Sequence, residues 1–108
     1  MDDSNQIVVP PSFTAVYATP SGYRLTEPMA VVRERYELCE DLAQMLTDQA
    51  STAQFKSGGS EREVLEAMRS GLTGEGSSVS APEAQWIVLR LAELLGWEPP
   101  AAPEDGEG

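Results

Sequence analysis

Apolar residues between Met29 and Ala53 recur in steps of three and four: Met29, Val32, Tyr36, Cys39, Ala43, Leu46, Ala50 and Ala53 fall on one stripe. Such a period, close to 3.6 residues, marks an amphipathic helix. The spacing predicts one long helix from Thr26 to Ser57. Thr26 suits the N-cap, Glu27 the positive end of the helix dipole, and Pro28 the first turn, where a missing N–H costs nothing. Gly58 and Gly59 supply left-handed conformations that end it.

The pattern then restarts. Ser60-Glu61-Arg62-Glu63 has the form of a capping box, and Val64, Leu65, Met68 and Leu72 make the apolar face of a short helix ending near Gly71. Residues 73–79 are a Gly- and Ser-rich connection. Ser80-Ala81-Pro82-Glu83 repeats the logic of cap, early proline and third-position glutamate. The helix it opens carries Ala84, Ile87, Val88, Leu91, Leu94 and Leu95 on one face, widened by Trp86 and Leu89. Gly96 followed by Trp97 predicts a Schellman stop.

Upstream, Pro10 and Pro11 forbid a central strand and leave Ile7 to Val9 extended. Phe13, Val16 and Tyr17 then follow at helical spacing, which predicts a short helix from Ser12 to Ala18 with Ser12 as its cap. That helix would lay Phe13 and Tyr17 on the bundle; the other reading is a loose arm that docks on another protein. Thr19 to Gly22 is turn chemistry. Residues 1–6 are expected to fray, and residues 98–108, rich in Pro and acid, to form a disordered tail. The predicted fold is all-α: a single helical-bundle domain over residues 7–97, with three main helices and an N-terminal arm or short helix.

A chain of 108 residues, 41% hydrophobic, suffices for one modest core. Its single cysteine, Cys39, can form no internal disulfide, and MDDSNQIVV lacks the basic start and long apolar run of a signal peptide. These features predict a soluble cytoplasmic protein. A net charge of -11, with one lysine and scattered arginines, argues against nucleic acid and anionic membranes as partners. It favours a protein partner with a basic surface, or simply keeps the protein soluble.

Candidate chemistry is sparse. With no histidine, the commonest general base and metal ligand is missing. Lys56 stands at a helix end and Cys39 lies within the apolar stripe between Glu37 and Glu40, which favours a packing thiol over a reactive one. Gly71, Gly74 and Gly76 lack the lysine and the preceding strand of a phosphate loop. We therefore expect no enzyme activity, no cofactor and no metal site. The sharpest surface feature is acidic: Glu34, Asp41 and Asp48 repeat every seven residues with Glu37 between them, forming a ridge partly balanced by Arg33 and Arg35.

PPSF with Tyr17 after it, YELCEDLAQML from Tyr36 to Leu46, and RLAELLGW from Arg90 to Trp97 together resemble a family of small bacterial proteins without an assigned function. Some relatives carry the description "ATPase with chaperone activity", which is the activity the resemblance implies; it carries over no functional residues. The residues themselves point to a protein-interaction module of adaptor, regulator or co-chaperone type. Its contact residues are expected to be Phe13, Tyr17, Trp86 and Trp97, because aromatic anchors dominate interfaces, together with Glu34, Glu37, Asp41 and Asp48. The alternative is self-association, in which the small residues Ala43, Ala50 and Ala53 pair the long helix with its copy. A monomer is favoured over that dimer.

Overall fold

The computed structural model describes residues 8–98. Residues 1–6 and all of the predicted tail 98–108 except the exposed Glu98 lie outside them. A short helix α1 (Pro11–Thr14) tightens into a 3-10 turn (Ala15–Tyr17); then come α2 (Met29–Ser57), α3 (Glu61–Leu72) and α4 (Ala81–Leu95). Among the described residues the only strand-like feature is an isolated antiparallel bridge between Ala18 and Leu25. The chain is a small all-α bundle, as the apolar pattern predicts.

Most helix boundaries follow the local chemistry. Gly58 takes a left-handed φ of 65° and ends α2. At the end of α4, Gly96 has φ 72°, its N–H reaches the Glu93 carbonyl and the Trp97 N–H reaches that of Ala92, which completes the Schellman motif. Ser80 and Glu83 form the full reciprocal capping box. At α3 only half of the predicted box is made: Ser60 Oγ accepts from the Glu63 N–H.

Two starts differ from expectation. The long helix begins at Met29, with Pro28 as a cap that makes no side-chain bond. A residue before proline is pushed to extended backbone, so Glu27 stays outside the helix. The Thr26 N–H is meanwhile donated to the Tyr17 carbonyl at 2.7 Å, closing the turn that brings the arm back. Ser12 likewise caps nothing: Pro10 is the N-cap of α1, and Ser12 Oγ instead accepts a 3.0 Å hydrogen bond from the Trp86 indole.

The core has two joined halves. One gathers Phe13, Val32, Cys39, Ala43, Ala84, Trp86 and Ile87, and the other Ala50, Val64, Leu65, Val88, Leu91 and Ala92; Leu46 and Leu72 pack against both. Of the α2 stripe, Val32, Cys39, Ala43 and Ala50 are buried, Tyr36, Leu46 and Ala53 are half-buried, and Met29 at its start is exposed. Ala43 and Ala50 are fully buried within this one chain. Pairings run in order along α2 and α4, Arg35 with Glu83 and Glu40 with Arg90, so the two helices point the same way. The intervening helix, α3, turns back between them, its start beside Ala50 and its end reaching the first cluster.

Candidate functional site

Arg35 lies three residues after Val32 and four before Cys39, so helical spacing puts a guanidinium within the buried stripe of α2. A cation there requires a partner, because an unpaired charge at the edge of a core is costly. Glu83 is that partner. As the third residue of α4 it also caps the helix, and its side chain is 2% exposed.

Each carboxylate oxygen of Glu83 accepts two hydrogen bonds. Oε1 takes one from Arg35 Nη2 at 2.7 Å and one from the Ser80 N–H at 2.9 Å; Oε2 takes one from Arg35 Nε at 2.9 Å and one from the Tyr17 hydroxyl. Arg35 Nη2 also reaches the Ser78 carbonyl at 2.7 Å, tying in the loop before α4. Burial by itself would raise the Glu83 pKa, but the bonds from Arg35, Tyr17 and the Ser80 backbone outweigh it and hold the carboxyl at about 2. Burial and the neighbouring carboxylate push the Tyr17 phenol up to about 12. At neutral pH the three groups are therefore locked as carboxylate, guanidinium and neutral phenol. With every lone pair engaged, the cluster is a clamp joining the arm, α2 and α4.

A second bidentate pair stands further along the same interface. Arg90 donates to both oxygens of Glu40 at 2.9 and 3.0 Å and to Glu93 at 3.0 Å, while Gln44 supports Glu40 at 2.8 Å. These bonds, Arg90 first, hold the Glu40 pKa below its ordinary value. Ser12, Trp86, Leu89, Arg90 and Glu93 line a small depression of about 240 Å³ beside this pair.

The predicted aromatic anchors turn inward. Phe13 is fully buried and Trp86 only 7% exposed, and they pack edge to face with ring centroids 5.1 Å apart. Tyr36 meets both, at 5.6 Å from Phe13 and 5.7 Å from Trp86, and Tyr17 lies 5.8 Å from Phe13. The physical reason is the arm. Folded onto the bundle, it covers the side of α4 on which Trp86 sits, so a position one step off the main apolar face becomes interior. Of the two open readings, the docked arm is the one the structure adopts. Trp97 is half-buried against the second core half, where the Schellman turn returns it.

The acidic ridge does lie outside. Glu34, Glu37, Asp41 and Asp48 are exposed on α2. Among the described residues none of them makes an ion pair. Arg35, expected to balance the ridge, is instead committed to Glu83. No group of three or more Cys, Asp or Glu able to hold a metal occurs among the described residues. Cys39 is fully buried, and burial followed by the Glu83 charge pushes its thiol up to about 12; the adjacent glutamates in sequence are not the cause.

Next to the ridge, α2 keeps an apolar strip that the bundle leaves partly open. Val31, Leu38 and Leu42 are half-buried, and Met45 is 71% exposed. The strip continues past Gln49 into a groove of about 450 Å³ between α2 and α3, whose walls include Leu46, Met68 and Leu72. Sequence periodicity overlooks this strip because the stronger buried stripe dominates the same helix. The signal that could have revealed it is the seven-residue spacing of Val31, Leu38 and Met45. Among the described residues no helix is long and apolar enough to cross a membrane. No protein-family model, curated protein or solved structure matches the chain.

Proposed function

We propose that the protein is a small acidic cytoplasmic interaction module, of adaptor, regulator or co-chaperone type, acting through the outer face of α2 and not through catalysis. The observation that carries this reading is the partly open apolar strip, in which Leu38 and Leu42 rest on the core and Met45 stands 71% exposed in the middle of the longest helix. Apolar surface left open in line with a groove is what an interaction face offers. The closed state of the polar cluster supports the absence of catalysis: Glu83 has no free lone pair, and the Tyr17 phenol, at about 12, holds its proton near neutrality and donates it to Glu83 in a hydrogen bond. A monomer is supported by the burial of Ala43 and Ala50 within the chain's own core.

The test is affinity capture from native lysate with the tagged protein and with Met45→Lys, each at low and moderate salt. We expect a partner that survives moderate salt in near-equal amount with the wild type and is lost with Met45→Lys. Recovery of only salt-labile basic proteins, equally with both, overturns the reading. So does ATP turnover above background in a clean preparation.

A further inference from the structure

The outer face of α2 carries two interleaved rows. Val31, Leu38 and Met45 stand seven residues apart, and Glu34, Asp41 and Asp48 each follow three residues later. Residues three and four apart are neighbours on a helix surface, so Val31, Leu38 and Met45 each have a carboxylate beside them along one border of the strip, and Leu42 lies on the side away from it. From Val31 to Met45 the strip covers four turns, roughly 20 Å at about 1.5 Å per residue. We propose that this strip docks a helical segment of another protein, amphipathic in pattern, with lysines or arginines along the edge that meets Glu34, Asp41 and Asp48. The proposal rests on the interaction-module reading and names the partner's chemistry.

Other occupants fit poorly. A second copy would set the same carboxylates against each other between chains of charge -11 each. The chain's own outlying segments, residues 1–7 and 99–108, contain no lysine or arginine, and the second is interrupted by three prolines. An anionic lipid surface would be repelled. A basic helix gains on both counts: its apolar face covers Leu38, Leu42 and Met45, and its flanking cations meet carboxylates that have no partner among the described residues. Covering an apolar strip with a helix is a recurrent recognition mode, read as anchors three and four residues apart.

The experiment uses a fluorescein-labelled synthetic peptide of roughly eighteen residues, long enough to span the strip. Its leucines are spaced three and four apart and its lysines lie along one flank. A scrambled peptide of the same composition and a version with glutamate for lysine serve as comparisons. Anisotropy titrations against the full chain at about 150 mM salt remove most long-range attraction. We expect the amphipathic lysine peptide to bind at least ~10-fold more tightly than either comparison. Affinity should fall ~10-fold or more both with Met45→Lys and with Glu34, Asp41 and Asp48 changed together to lysine. These positions are exposed, so circular dichroism should show the helices unchanged. Equal binding of the scrambled peptide, or binding indifferent to both variants, overturns the proposal. A lysate partner lost on Met45→Lys would in that case leave the module reading standing with a partner of other chemistry.

Discussion

Glu83 is the residue on which most of the structure's polar order converges. The residue is 1% exposed, and its carboxylate joins three elements through Tyr17, Arg35 and Ser80. Removing one partner of a buried pair typically costs about 3–5 kcal/mol, because the other charge is left behind. Arg35 keeps 31% of its side chain in water, which lowers the figure. Glu83→Gln should therefore lose about 2–3 kcal/mol at neutral pH, measured by urea unfolding. The pH dependence has a definite sign. The folded pKa of about 2 lies below the ordinary 4.5, so the unfolded chain binds the proton first. The contribution of Glu83 is full above 4.5 and is lost as pH falls through about 2. The gap between wild type and Glu83→Gln should close over that range; a constant gap would show that the carboxylate is not ionised in the folded state.

Among the elements, α2 and α4 are held in register by two bidentate pairs of opposite polarity, Arg35 with Glu83 and Glu40 with Arg90. Sliding one helix by a turn would break both, so the pairs specify one alignment where a stripe of apolar residues would permit several. Helix ends show how position sets the value of a single residue type. At Gly96 the backbone has φ 72°, and any Cβ there is strained. Gly71 sits in the last turns of α3 with ordinary helical backbone and nothing within 4 Å of a Cβ. Thermal unfolding should thus show opposite effects: Gly96→Ala destabilises by about 1 kcal/mol, and Gly71→Ala stabilises by about 0.5–1 kcal/mol. Equal effects would mean that the Schellman turn is not what ends α4.

Over the whole molecule, the arm decides which aromatic residues are interior. It brings Phe13 against both Tyr36 and Trp86 and into the same core cluster as Cys39. Cys39 is thereby shielded twice: it is fully buried, and its thiol is pushed up to about 12. A thiol reagent needs both access and thiolate. Labelling of the native protein at pH 8 should be slow and should accelerate in urea in step with global unfolding. Rapid labelling without urea would mean that the first core half opens on its own. The charge distribution belongs to this scale too, since Glu34, Glu37, Asp41 and Asp48 of α2 face outward while Arg35 and Arg90 are spent on Glu83 and Glu40 in the bundle interface.

The three main helices, most of their boundaries and the apolar stripe of α2 were determined by the sequence alone, because caps, left-handed glycines and a 3.6-residue period act over a few neighbouring residues. The α4 capping box and the turn from Gly96 to Trp97 follow from such local rules. So does the exposure of Glu34, Glu37, Asp41 and Asp48, which stand opposite the stripe on the same helix. Only the tertiary structure decided the rest. Ser12 and Trp86 are 74 residues apart, and Arg35 and Glu83 are 48 apart; nothing in either neighbourhood encodes the other. The inward turn of Trp86, the commitment of Arg35 to Glu83 and the opening of the Val31 to Met45 strip all depend on where the arm and α3 come to rest. That placement is set by long-range packing, in which a residue's role is fixed by what arrives against it.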